Sequence, residues 1–170
     1  EISLRPPQAE DRGIPGHWEG DLVIGKQGAS ALITLVERKS RFVLIRRLSA
    51  SHDSPTVISA LIEMVSSLPT EVKTITWDQG SEMANVKDLK IAHPVDVFFA
   101  DPHSPWQRPS NERTNRDIRW YFPKGTDFAT ITDEETQQVQ DLLNDRPRVV
   151  LGGQTPREVL TSTVSDALTA

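Results

Sequence analysis

The chain has 170 residues, 36% of them apolar, which makes one domain with a real core the default reading. It has no cysteine, which excludes disulfides, thiolate nucleophiles and cysteine-ligated zinc and fits a reducing cytosol, and its net charge of −5 taken alone argues against a nucleic-acid binder. No run approaches the roughly 18 apolar residues of a membrane span, and no signal peptide opens the chain, which begins at Glu1 rather than Met and so reads as a fragment of a longer protein.

Residues 1–16 carry Pro6, Pro7, Gly13, Pro15 and Gly16 and read as an extended arm or the end of a linker. Residues 18–24 form a first strand. Residues 31–37 are an apolar run rich in β-formers, and residues 42–48 make a third strand after a tight Lys39-Ser40-Arg41 turn. Three strands with short connections predict an antiparallel meander. Asp53 or Ser54 then caps a helix with Pro55 at its first position; Val57, Ile58, Leu61, Ile62, Val65 and Leu68 follow at helical spacing, and Leu68-Pro69 ends it. Residues 73–77 are a short strand that delivers Asp78, followed by a Gln79-Gly80 turn, a short helix over about 82–90 and a fifth strand over 95–99. A proline-rich loop (100–110) leads to a helix over about 111–121, capped by Ser110 or Asn111, with Glu112 in its first turn. Thr132 with Glu135 is a capping-box pattern for a helix ending near Asn144, and Thr155-Pro156-Arg157-Glu158 opens a last short helix. This order predicts an α/β sandwich around a five-stranded mixed sheet.

Asp21, Asp78 and Glu112 stand out, with 56 residues between the first two and 33 between the second and third. Each lies where an apolar stretch ends or a helix begins, so a fold can aim all three at one point. Three carboxylates without cysteine are a hard-ligand set suited to Mg²⁺ or Mn²⁺, and such sites serve phosphoryl transfer with two ions clamping the attacking and leaving oxygens. Taken singly, Asp21 and Asp78 also read as turn aspartates and Glu112 as a charge suited to a helix dipole. The charge is uneven. Residues 126–145 hold six acids and no Lys or Arg; 102–124 hold Arg108, Arg113, Arg116, Arg119 and Lys124 against Glu112 and Asp117; 36–48 hold five basic residues against Glu37. A basic segment is either a solvated face or a phosphate contact. Arg116 and Arg119 share a helical face with Glu112 and are placed to grip backbone phosphates. His103 is placed to orient a phosphate or to fix its loop, and Glu82 to assist a metal or to sit on a helix surface. Trp18, Trp77, Trp106 and Trp120 flank these segments; core packing is expected for most, with Trp106 available to stack on a base.

The segments His17-Trp18-Glu19-Gly20-Asp21-Leu22-Val23, Thr34-Leu35-Val36-Glu37-Arg38-Lys39-Ser40-Arg41, Asp101-Pro102-His103-Ser104-Pro105-Trp106-Gln107-Arg108, Asn111-Glu112-Arg113-Thr114-Asn115 and Tyr121-Phe122-Pro123-Lys124-Gly125-Thr126-Asp127 resemble, in this order, the catalytic core of DDE transposases and retroviral-type integrases, and among them the bacterial insertion-sequence-thirty transposases. Asn144-Asp145-Arg146-Pro147-Arg148 extends the match, which covers about residues 5–160. The resemblance implies a ribonuclease-H-like fold over 17–160 with a tail over 161–170, Asp21, Asp78 and Glu112 as a metal-binding catalytic triad, and two Mg²⁺ or Mn²⁺ ions. It implies a DNA substrate, with cleavage at transposon ends and strand transfer into target DNA. Arg108, Arg113, Arg116, Arg119 and Lys124 become DNA contacts, in a homo-oligomer assembled on DNA in the bacterial cytoplasm, at the nucleoid when acting and with no membrane partner. Pro109 stands where the family has glycine, Arg116-Asp117-Ile118-Arg119-Trp120 replaces a less charged run, and Val149-Val150-Leu151-Gly152-Gly153 lacks an expected aromatic. A ribonuclease-H-like nuclease that cuts without joining, a non-catalytic DNA-docking or dimerisation remnant, and a carboxylate-pair glycosidase are the other readings; the last leaves the third acid unexplained.

Overall fold

Three strands in succession build an antiparallel meander: β1 (His17–Ile24), β2 (Ala31–Glu37) and β3 (Val43–Leu48). A computed structural model describes residues 2–8, 12–78 and 80–170; part of the expected N-terminal arm (residues 1 and 9–11) and Gln79 of the expected turn lie outside the described residues. Helix α1 (Ser54–Ser66) returns the chain to the other side of β1, where β4 (Thr74–Trp77) and then β5 (Asp96–Phe99) add in parallel. The sheet order is β3-β2-β1-β4-β5, so β1 is central. This is the mixed sheet expected from the element order.

Helices cover both faces, and the strand period of two sorts the side chains between them. Along β2, Ile33 and Leu35 join Trp18, Trp77 and the apolar stripe of α1 in one core; Leu32 and Val36 join the other, with Val23, Phe128 and residues of two later helices. Those helices are α3 (Pro109–Tyr121) and α4 (Asp133–Asn144), which contribute Ile118, Val139 and Leu143. The helix expected over 82–90 is a single 3₁₀ turn, Ser81–Met83, followed by α2 (Val86–Ala92). The last helix, α5 (Pro156–Thr169), is longer than the short helix expected and runs across position 160.

The local rules hold where both partners are near in sequence. The Asp53 carboxylate accepts from Thr56 N–H at 3.0 Å, and Thr132/Glu135 and Thr155/Glu158 form complete capping boxes. One expectation fails in detail. Ser110 and Asn111 do not cap α3, because the helix begins at Pro109. Proline suits that first position, where no N–H bond is lost and φ is already set. Gly20 is required by close approach: a Cβ there would lie 2.1 Å from the Trp77 ring.

The open edge of β3 is closed by side chains. Asn144 on α4 accepts from Val43 N–H at 2.9 Å and donates to Val43 C=O at 2.8 Å, and Gln140 accepts from Ile45 N–H at 2.9 Å. Two amides thus satisfy backbone groups that an exposed edge would offer to another chain.

Candidate active site

The strand register places the first two acids together. β1 and β4 run parallel with His17 opposite Thr74 and Glu19 opposite Thr76. Two residues further along β1 comes Asp21, and two residues past Thr76, just beyond the end of β4 at Trp77, comes Asp78; the alternation of side chains puts both toward the sheet face covered by α3. Arg108, the residue before α3, reaches both: Nη2 lies 3.0 Å from Asp78 Oδ2 and Nη1 lies 3.5 Å from Asp21 Oδ2. Its Nη1 also donates to Gly20 C=O at 3.3 Å. The guanidinium is only 12% exposed, against 25% for Asp21 and 52% for Asp78. One cation therefore already draws the two carboxylates to a common point.

The Asp21 carboxylate is oriented from two sides. Leu22 N–H donates to Oδ1 at 2.9 Å, and Asn115 Nδ2 donates to Oδ2 at 2.8 Å. Burial pushes its pKa above the usual aspartate value, and Arg108 works against that shift.

Glu112 lies on the same stripe of α3, four residues after Arg108 and three before Asn115, both of which touch Asp21. Its carboxylate is 59% exposed and lies 3.9 Å from Arg116. Among the described residues no three acidic or histidine side chains are gathered closely enough to hold a metal ion. The structure thus brings Asp21 and Asp78 together and leaves Glu112 beside them, turned to Arg116. The donor set still fits a hard divalent ion: two all-oxygen ligands converge on one positive charge, with a third carboxylate on the adjoining helical stripe.

A third strand acid escaped the sequence reading. Glu19, on the same face of β1 as Asp21, is fully buried beneath α3. Its Oε2 accepts from Asn111 N–H at 2.8 Å, and its Oε1 lies 3.2 Å from Nη1 of buried Arg38. Arg108, at the cap position, gives α3 no side-chain cap, so Glu19 supplies from the sheet the acceptor that an N-cap residue would supply from the chain. Burial pushes its pKa up, opposed by the Asn111 N–H and Arg38. The signal that could have found it was an acid two residues before Asp21 in an otherwise buried strand.

The remaining expected site residues are dispersed. The Glu82 carboxylate accepts from the Trp77 indole at 3.2 Å and so braces the strand that delivers Asp78, rather than joining the acids. His103 is exposed in a turn at φ 57°, with no hydrogen bond or ion pair of its side chain described. Arg119 donates to Ile24 C=O at 2.7 Å, at the far end of β1. Arg113, Arg116 and Lys124 are exposed. Trp18 and Trp77 are core residues, but Trp106 and Trp120 are largely exposed. The basic segment 36–48 is mostly used internally: Arg38 on Glu19, Arg46 on Glu63, and Arg47 on Asp133.

Residues 12–105 match the model of the integrase core domain. The chain is 44% identical over 169 residues to the transposase for insertion sequence element IS1086 of Cupriavidus metallidurans, covering 97% of this chain and 49% of that protein. It is 46% identical over 160 residues to transposase InsI for insertion sequence element IS30C of Escherichia coli, covering 94% and 41%. It is 34% identical over 158 residues to the transposase for insertion sequence element IS4351 of Bacteroides fragilis, covering 93% and 48%. The chain spans about half the length, or less, of these relatives. No helix among the described residues is long and apolar enough to cross a membrane.

Proposed function

The chain belongs to the integrase core domain family, and from that premise we propose that it is the catalytic core of a transposase that cuts phosphodiester bonds at element ends and joins the freed 3′-hydroxyl to a target DNA strand. Asp21, Asp78 and Glu112 are the acids that hold its divalent ions, Mg²⁺ or Mn²⁺. The observation that carries this reading is the Asp21–Asp78 pair, brought together by the register of parallel neighbours and drawn to one cation.

When bound, such ions activate the attacking oxygen and stabilise the leaving one. The chain's own residues do the rest. Leu22 N–H and Asn115 fix the Asp21 carboxylate, so its free lone pairs point where Arg108 now lies. Burial makes Asp21 favour a strong counter-charge. Glu112 sits on the same helical stripe as Asn115, one step along α3, and its exposed carboxylate is free to turn from Arg116. Arg108, once released, and Arg116 beside it are placed for the phosphates that flank the reacting bond, with Arg119 and Lys124 further along. Transposition unites two ends with a target, so a homo-oligomer assembled on DNA is part of the proposal.

Calorimetric titration with Mn²⁺ tests the site. Binding to the wild type that disappears in Asp78→Asn is the expected result; binding that survives in Asp78→Asn and in Glu112→Gln would overturn the assignment. Strand transfer from pre-nicked ends separates a transposase from a nuclease that only cuts.

A further inference from the structure

A deep concavity lies not over the acids but on the other flank of α3. It encloses about 710 Å³ and is lined by Arg12, Arg41, Arg113, Arg146 and Arg148, with Asp117 as the sole acid. Five guanidinium groups against one carboxylate in a single groove, in a protein of net charge −5, is a concentration of positive charge that composition does not foretell.

Helix α3 separates this groove from the catalytic face. Ser110, Arg113, Thr114 and Asp117 recur at helical spacing and face the groove. Asn115 and Arg119 face β1 instead, through Asp21 and Ile24.

Several of the groove's cations are held in place with donors to spare. Arg12 and Arg41 both donate to one hydroxyl, Ser110 Oγ, at 2.9 and 3.1 Å. Neither is within ion-pair distance of a carboxylate among the described residues, although Arg12 is near enough to buried Glu19 to oppose the rise of its pKa; the two like charges converge on a neutral acceptor. Such convergence is costly in water-poor surroundings and is relieved by an anion between them. Arg41 Nε and Arg148 Nε are buried donors without an acceptor among the described residues. Arg148 is anchored by Asp117 at 3.3 Å and by Leu143 C=O at 3.3 Å. Arg113 and Arg146 stand exposed at the rim, and Val149 and Val150, 99% and 63% exposed, give the groove an apolar lip.

From Ser110 to Asp117 the groove follows α3 for about 10 Å, room for about two consecutive phosphates of one duplex strand, whose separation along the backbone is roughly twice their 3.4 Å rise along the axis. We infer that this groove is a second DNA-backbone track: it holds consecutive phosphates of the DNA flanking the reacting bond, with their sugars against Val149 and Val150. The inference rests on the DNA-processing reading above, but it concerns residues and a face of α3 that the catalytic acids do not use.

The test is equilibrium binding of a short random-sequence duplex to the 170-residue chain, read by fluorescence anisotropy across a salt series. The variant is Arg113→Glu with Arg146→Glu, both exposed at the rim. Its control is Lys87→Glu with Lys90→Glu on α2, an equal change in net charge away from the groove. Loss of two phosphate contacts should make the log–log salt slope shallower by about 2 and weaken binding at low salt by roughly a hundredfold, with the control near wild type. An affinity and slope that change no more than in the control would overturn the track, as would a wild type that binds no duplex at low salt. Metal-dependent cleavage of DNA is scored separately. Its retention alongside an unchanged slope sinks the groove alone, and its absence in the wild type sinks the catalytic reading while the slope still reports on the groove.

Discussion

Arg108 sits where the catalytic reading needs a divalent cation to act, so it must compete with one. Consider Arg108→Gln, which keeps a donor for Gly20 C=O but removes the charge. Unit charges at 3.0 and 3.5 Å, the two arms of the Arg108 contact, attract by about 5 kcal/mol each at an effective dielectric near 20. Solvent screens both arms. The Asp78 arm, half-exposed, falls to the range of a surface pair, below about 1 kcal/mol, and the less exposed Asp21 arm to about 1 kcal/mol. An ion entering the wild-type site gives up that sum; one entering the variant does not. The expected gain is about 1.5 kcal/mol, roughly tenfold tighter Mn²⁺ binding by calorimetry. A second readout comes from melting. Without metal the variant should melt below the wild type, because Asp21 and Asp78 then face each other without their shared cation, and saturating Mn²⁺ should close that gap. If Arg108→Gln binds Mn²⁺ no tighter than the wild type, the guanidinium and the metal do not share the carboxylates, and the reading of Arg108 as a stand-in cation fails.

Other consequences follow from the same contacts. Asn144→Ala strips the edge of β3 of a donor and an acceptor in a buried position; at about 1–3 kcal/mol for each unsatisfied group, chemical denaturation should show a loss of about 2–6 kcal/mol, and a loss near zero would mean that water replaces the amide. Gly20→Ala drives a methyl into the Trp77 ring and should cost about 2 kcal/mol or more in the same assay, with Trp77 fluorescence altered; an unperturbed stability would contradict the close approach. Burial raises the Asp21 pKa, so the folded state holds that proton more tightly than the unfolded chain. The group therefore favours the native state most below the ordinary aspartate value, and that contribution is lost as pH climbs through the raised one. Asp21→Asn should gain in melting temperature relative to the wild type across that window and then level off, whereas Mn²⁺ affinity of the wild type should fall on acidification earlier than an ordinary aspartate allows. A melting difference constant with pH would refute the shift.

What could be read from the sequence divides by the range of the forces involved. The capping boxes at Thr132 and Thr155 were legible because donor and acceptor lie within four residues. The strands were legible because a period of two survives in any apolar run, and it turned Asp21 and Asp78 toward one face of the sheet once β4 paired with β1. The helix start at Pro109 was misplaced because serine and asparagine are the commoner caps, while here the acceptor comes from Glu19, 92 positions away. The same distance hid the fate of the basic segment: Arg47 meets Asp133 across 86 positions, and a local charge count cannot tell such a pair from an open phosphate contact.

The arginines show how tertiary structure redistributes a charge that composition reports only as a sum. Of the five basic residues in 102–124, Arg108 turns inward onto the acids, Arg119 is tied to the end of β1, and Arg113 faces the groove on the opposite flank. Arg12, Arg41, Arg146 and Arg148 come to that groove from three separate segments of the chain. On the proposed reading, α3 stands between a basic groove on one flank and a cation-seeking set of acids on the other, so a strand gripped in the groove would be registered against the acids by the rigid body of the helix that carries Glu112. Any change that tilts α3, such as loss of the Glu19 acceptor under Asn111, should therefore disturb catalysis more than it disturbs DNA affinity.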